Sequence, residues 1–337
     1  NQPAFLMPQW RASSHGKSVP VSPHLYRQMV VAAYPAIKAV RSDVRVLVGN
    51  LSSTGGHGSG AVPPMQFLRA LACVNRYLVA VKIGECAGFT TLPGDGWAQH
   101  PYALDTTPDQ ESTGRNADDV RLADLPRLSR TLNRLVKMGR LSPRLRSIYI
   151  TEFGYETQPI KGRPRVTEGM QARYLAWSEY LASRVPAVKM FGQFLLRDVP
   201  PAATAQSDSQ RRRFGQFSTG LEHSDGSLKL ATRSFVAGLY VQRLSNRTVL
   251  LWGRLRLGDL PRAVRFQRQV SRGHWTPLPS SAKPRGAAVP SFLAPGGGTF
   301  ARFAKVRLDS RYRILYQDGR SWVTGLPVPA VDKRPLI

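Results

Sequence analysis

With 337 residues, 42% of them hydrophobic and 20% charged, the chain can build one large core or two ordinary ones, which excludes a disordered protein. The 48 Lys and Arg against 21 Asp and Glu leave a net charge of +27. That charge suits an acidic partner (nucleic acid, an anionic glycan or a negatively charged envelope) or an arginine-rich surface with no partner. Only Arg211-Arg212-Arg213 forms a run and no arginines interleave with aromatics, so nucleic acid is not expected. No apolar run is long enough to span a bilayer, and no transmembrane segment is expected.

In chain order, residues 1–21 read as a loop. Ser22-Pro23 then opens a helix, with Ser as N-cap and Pro in the first turn, and apolar residues recur at helical spacing to Val40. Pro35 is expected to kink it. Val44 to Val48 reads as a short strand ending at Gly49-Asn50, followed by a glycine-rich loop and a helix from about Pro64 to Val74. Gly56-His57-Gly58-Ser59-Gly60-Ala61 formally fits a dinucleotide fingerprint, but Pro63-Pro64 fall where the phosphate-binding helix must already run. Nucleotide binding is therefore rejected, and Ser14-His15-Gly16-Lys17 fits Ser-x-x-Lys by chance, since it lies in a loop.

A loop ends in Asp95-Gly96-Trp97-Ala98-Gln99-His100-Pro101-Tyr102, where a His held extended by the following Pro presents imidazole and phenol together. Trp97 is read as core. Val120 to Met138 is an amphipathic helix. Ile148 and Ile150 alternate with Tyr149 and Thr151 in a buried strand that ends on Glu152-Phe153-Gly154-Tyr155. A carboxylate where a strand stops points out of the C-terminal edge of a parallel sheet, where active sites are built. A helix from Thr167 to Val185 and a strand from Val188 to Phe194 follow, the latter ending near Arg197 and Asp198. This alternation predicts a parallel sheet of about four strands, too few to close a barrel. Beyond about 246 only short alternating runs separated by Gly, Pro and Ser remain, as in an all-β module.

The two cysteines, Cys73 and Cys86, are not a Cys-x-x-Cys pair, and the six histidines form no metal cluster. A local disulfide, worth about 3 kcal/mol for a loop of this size, and two free buried thiols both fit the spacing.

Together these residues resemble a retaining glycoside hydrolase of the clan A (β/α)8-barrel superfamily, close to the cellulase-like families, over nearly the whole chain. Ile148 to Tyr155 resembles the seventh-strand nucleophile motif, Thr-Glu-Phe/Trp-Gly. Asp95 to Tyr102 resembles the sixth-strand motif ending in His-Pro-Tyr, and Val188 to Asp198 the eighth strand. Asn1 to Leu6 resembles the segment just after the fourth-strand signature Trp-Asn-Glu-Pro-Asn, with Asn1 as its last Asn. The resemblance implies an α/β fold: a (β/α)8 TIM barrel truncated to about its second half in residues 1–245, then an immunoglobulin-like β-sandwich in 246–337.

It further implies a secreted hydrolase acting on a β-linked polysaccharide or oligosaccharide, without cofactor or metal. Glu152 would be the nucleophile. The acid/base Glu would lie upstream of residue 1, leaving the chain by itself inactive; a second alignment would put Gln2 at that position. His100, Tyr102 and Tyr155 would position Glu152 or contact sugar hydroxyls, with Asn50, Gln193 and Asp198 as further substrate-binding candidates. A half barrel would leave the strands at 44–48 and 188–194 with open edges. The alternative is a non-catalytic carbohydrate- or envelope-binding protein that keeps the sugar cleft.

Overall fold

The computed structural model describes residues 6–12, 18–56, 60–157, 166–200, 217–278, 291–306 and 310–332. Asn1 to Phe5, Ser14 to Lys17, His57 to Ser59 and Arg211 to Arg213 lie outside the described residues. The chain divides into two units, one of residues 1–153 and 181–194, the other of 154–180 and 195–337. It is a mixed α/β protein with a parallel sheet in the first unit.

The first unit opens on two short antiparallel strands, β1 (Trp10–Ala12) and β2 (Ser18–Pro20), where the sequence reads as loop. Helix α1 (Ser22–Val40) runs through Pro35. Its N-cap is Val21 rather than Ser22, because the Ser22 hydroxyl donates to Gln9 Oε1 at 3.2 Å instead of capping the first turn. Strand β3 (Leu47–Leu51) follows, then helix α2 (Pro64–Leu71), β4 (Gly96–Gln99), α3 (Leu125–Lys137) and β5 (Ile148–Phe153). The expected helix from Val120 begins later, after a short turn in which the Asp124 carboxylate accepts the Arg121 N–H at 2.9 Å.

Strand β6 (Val188–Gln193) completes the sheet, whose order is β3-β4-β5-β6 with every pair parallel. Each strand therefore adds on the same side as the one before. A doubly wound sheet reverses direction at a switch point; this one does not. Ile148, Ile150 and all of β4 are buried, as strands covered on both faces must be. Among the described residues β3 and β6 are the edges, each with one strand neighbour. Strand β3 is displaced from the expected 44–48, because its register is set by pairing Leu47 with Gly96 and Leu51 with Gln99.

Helix α4 (Glu168–Ser183), most of which lies in the second unit, and a short helix α5 (Leu230–Val236), not anticipated from the sequence, precede a mostly antiparallel run that begins already at Ala237. Its strands are β7 (Ala237–Ser245), β8 (Thr248–Leu255), β9 (Arg262–Ser271), β10 (His274–Pro277), β11 (Phe292–Ala294), β12 (Thr299–Lys305), β13 (Arg311–Asp318) and β14 (Ser321–Thr324). Two-residue strands β15 (Val328–Pro329) and β16 (Val331–Asp332) end it, β16 pairing parallel to β7. They form one sheet ordered β12-β8-β7-β16 and another ordered β10-β9-β13-β14, with β11 on β9 and β15 on β13. Leu239, Val241, Val249 and Leu251 from the first share a single apolar core with Val264, Phe266, Tyr312 and Ile314 from the second. Alternation turns Tyr240 to the opposite face, where Trp177 and Tyr180 of α4 stack on it at 5.7 and 4.4 Å between ring centres.

Candidate active site

The C-terminal ends of the parallel strands bring a polar cluster together within the first unit. It starts with a bulge in β3. Gly49 pairs with Ala98 and Leu51 with Gln99, so Asn50 is the extra residue. Gly49 has φ +107°, and a Cβ there would stand 2.7 Å from the Ala98 carbonyl oxygen, so only glycine fits. Its N–H donates to the Tyr26 hydroxyl of α1 at 3.0 Å. Asn50 itself has φ +54°, a left-handed conformation that Asn tolerates better than most residues. The bulge aims the Asn50 carboxamide across the strand ends.

There it meets His100, which follows β4 directly and whose N–H donates to the Leu51 carbonyl at 2.8 Å. His100 Nε2 lies 2.7 Å from Asn50 Oδ1 and 3.0 Å from Thr151 Oγ1, while the Thr151 hydroxyl donates to Asn50 Oδ1 at 2.9 Å. Asn50 Oδ1 thus accepts two donors, which puts the proton of the neutral imidazole on Nε2. His100 Nδ1 is then an acceptor, and it faces Glu152 Oε2 at 3.2 Å. The Tyr102 hydroxyl donates to the same Oε2 at 3.1 Å. Its ring stacks on Phe153, 6.2 Å away, which fixes the phenol.

Burial sets the protonation of the pair. His100 is 9% exposed, and burial lowers its pKa to about 4, so it is neutral at physiological pH. Burial raises the pKa of Glu152, partly offset by the Tyr102 hydrogen bond. When Glu152 takes up a proton on Oε2, that oxygen can donate to His100 Nδ1 while accepting from Tyr102. The arrangement is a carboxyl group half out of water, held by a phenol donor and facing a neutral imidazole, with no cation beside it. Such a group changes charge with little rearrangement.

The structure therefore groups Asn50, His100, Tyr102 and Glu152 in one hydrogen-bonded set. Thr151, which the sequence pattern does not single out, joins them; its place beside Glu152 in the strand-end motif is the available signal. Gln193 closes β6 and is half-buried. Tyr155 and Asp198 belong to the second unit. Tyr155 is fully buried against Tyr174 at 5.1 Å, and its carbonyl accepts from Gln171 Nε2 at 2.9 Å. Asp198 makes a buried ion pair with Lys229 Nζ at 2.6 Å and accepts from the Gly220 N–H at 2.8 Å. Trp97 is fully buried, its indole N–H donating to Gln99 Oε1.

Cys73 and Cys86 are joined in a disulfide. With His24 they form a group whose potential ligand atoms lie within 4.8 Å of one another, but bonded sulfurs offer no thiolate to a metal. No helix among the described residues is long and apolar enough to cross a membrane.

The chain matches no family model, and no curated protein matches it. Among solved structures it is similar to a family 39 glycoside hydrolase from Bacteroides cellulosilyticus WH2, at 17% identity and a TM-score of 0.43, covering 84% of this chain and 55% of that one. A family 44 xyloglucanase from Paenibacillus polymyxa gives 11% identity and a TM-score of 0.35, covering 89% of this chain and 62% of that one. A family 44 endoglucanase from Clostridium thermocellum gives 12% and 0.30, with the same shares. The chain thus spans less than two thirds of each of these proteins. At such scores the likeness decides neither the activity nor the details of the fold.

Proposed function

We propose that the first unit is the second half of a (β/α)8 barrel and that it performs retaining hydrolysis of a β-linked glycan, with Glu152 as the nucleophile. The observation that carries this is the position of Glu152: the C-terminal end of β5, half-buried, its Oε2 held by Tyr102 and facing His100. The strand order without reversal supports the barrel, because successive parallel neighbours on one side are how a barrel sheet is wound. The two mostly antiparallel sheets of the chain's C-terminal part, from Ala237 on, fit an immunoglobulin-like sandwich with its own core. The disulfide fits a secreted protein.

In the first step a Glu152 carboxylate oxygen bonds to the anomeric carbon as the bond from that carbon to the leaving oxygen breaks. The leaving oxygen takes the electron pair and a proton from a second carboxyl group about 5 Å from the nucleophile. The resemblance puts that acid in a Glu upstream of residue 1. Attack requires the ionised form, and any proton on the carboxyl group is released to solvent, His100 being too weak a base to hold it. Asn50 and Thr151 hold the imidazole in place.

A leaving group acidic enough needs no acid, which makes the nucleophile testable in this chain alone. A 2,4-dinitrophenyl 2-deoxy-2-fluoro-β-glycoside should release dinitrophenolate once and leave a fluoroglycosyl ester on the peptide carrying Glu152, detected by mass spectrometry. An ester on another residue would remove Glu152 from the role. The second reading, a glycan-binding protein without turnover, draws on the raised pKa of Glu152, which favours a neutral carboxyl group. It predicts sugar binding with no ester.

A further inference from the structure

A second recessed site lies in the first unit, and none of its residues belongs to the His100–Glu152 cluster. An open cleft of about 560 Å³ has Trp10, Gln66, Arg69, Arg76, Tyr77, Arg115 and Asp118 in its lining. That volume is within the range of small-ligand sites. Three guanidinium groups face one carboxylate, so the lining carries a surplus of two positive charges.

The charges differ in their freedom. Arg69 holds Asp118 with two bonds, Nη1 to Oδ1 at 2.8 Å and Nη2 to Oδ2 at 2.6 Å, which neutralises the carboxylate and uses two of the five guanidinium donors. Arg76 and Arg115 are exposed. Arg115 sits on a short turn, Gly114–Asn116, and Arg76 lies over the ring of Tyr77 at 4.7 Å, hydrogen-bonded to its hydroxyl. Both aromatic rings are held in place although the cleft is open. The Trp10 indole N–H donates to the Gly60 carbonyl at 2.9 Å. Tyr77, 70% exposed, sits in a turn whose Tyr77 and Val79 N–H groups both donate to Asn75 Oδ1.

Tyr77, on the face opposite Arg76, and the tethered Trp10 offer flat surfaces to the C–H side of a sugar ring. Guanidinium forks match carboxylates in pairs of parallel bonds. A neutral glycan needs no such arginines, and a bare phosphate needs no rings. We propose that this cleft binds an acidic oligosaccharide of hexuronate units, with Arg76 and Arg115 on its carboxylates and Trp10 and Tyr77 against its rings. This gives the net charge of +27 one local purpose, and it holds whether or not Glu152 is a nucleophile.

The test is titration calorimetry with oligogalacturonate of three to five units, beside its carboxyl-reduced neutral counterpart and inorganic phosphate. The acidic oligomer should bind at least about tenfold more tightly than either, and more weakly as salt rises. The double variant Arg76→Gln/Arg115→Gln should lose about tenfold or more with an unchanged melting temperature, both side chains being exposed. Tyr77→Ala should lose affinity by a salt-independent factor. Equal binding of neutral and acidic oligomers, unaltered binding by the double variant, or inorganic phosphate binding as tightly as the oligomer would each overturn the proposal. Glu152→Gln should bind the acidic oligomer like the wild type, so failure at one site is not mistaken for failure at the other.

Discussion

The two ends of the parallel sheet each hold a carboxylate, and they are built in opposite ways. Asp95 precedes β4 at the N-terminal end and its side chain is 3% exposed. Lys38 Nζ at 2.6 Å, Arg144 at 3.0 Å, the Tyr34 hydroxyl at 3.0 Å and the Val46 N–H at 3.0 Å converge on it. Burial alone would raise its pKa, but these cations and donors hold it well below the usual carboxylate range. Glu152, at the other end, meets a phenol and a neutral imidazole, and burial raises its pKa. Burial acts the same way on both; what differs is whether a cation answers it. An answered carboxylate ties elements together, here α1, β3 and β4. An unanswered one is poised to take up or release a proton, which fits the view that one face of such a sheet serves stability and the other chemistry.

The comparison is sharpest if one change is made at each end. Glu152→Gln should reduce ester formation with the activated fluoroglycoside by more than about 10³-fold, since the amide cannot attack. Its melting temperature should stay close to the wild type, because an amide oxygen still accepts from Tyr102. Asp95→Asn should do the reverse. It leaves Lys38 and Arg144 without their carboxylate and should cost about 3 to 4 kcal/mol by denaturant titration, while ester formation on the folded protein is retained. A Glu152→Gln protein that loses as much stability as Asp95→Asn would erase the distinction.

The pH dependence separates the ends again. The folded pKa of His100 lies near 4, below its ordinary 6.5, so the unfolded chain binds the extra proton between those values. Its contribution is present above pH 6.5 and lost as pH falls toward 4, about 3 kcal/mol in all. Glu152 has the opposite sign: its folded pKa is raised, so its contribution is present below about 4.5 and lost as pH rises through the folded value. The two windows overlap and partly cancel. Glu152→Gln removes the second, and its stability should therefore fall more steeply between pH 6.5 and 4 than the wild type's. Parallel curves would mean that the Glu152 carboxyl is not raised in the folded protein.

Parts of this arrangement were legible in the sequence, and for identifiable reasons. The alternation of Ile148 and Ile150 gives β5 directly, and Pro101 after His100 announces that imidazole and phenol emerge together at a strand end. Both reach Glu152 as that rigidity implies. The bulge was not legible. Gly49-Asn50 reads as the end of the strand, and only pairing with β4 makes Asn50 the extra residue that turns toward His100. Thr151 does not stand out because its partner, Asn50, is 101 positions away in sequence. Asp198 looks like a strand-end ligand, yet the fold brings it Lys229 as an ion-pair partner and buries both. A strand end can be read locally, but whether a cation answers its carboxylate depends on distant pairing.

That last point can be tested by supplying charge where the fold supplies none. Asn50→Asp keeps the shape of the side chain and places a carboxylate about where Oδ1 now lies, 2.7 Å from His100 Nε2. The imidazole can then carry both protons, Nε2–H toward the new carboxylate and Nδ1–H toward Glu152. Asn50 is exposed, so solvent screening trims the effect to about one pKa unit. The His100 midpoint, followed by imidazole NMR, should rise by that amount from near 4, and the Glu152 carboxyl midpoint should fall. Ester formation should accordingly extend to lower pH, because more of Glu152 is ionised there. Stability at neutral pH should change little, the substitution being nearly isosteric at a position already tolerant of left-handed backbone. A His100 midpoint that does not move would mean that Asn50 does not control the imidazole, and the coupling from bulge to histidine to carboxylate would fail at its first link.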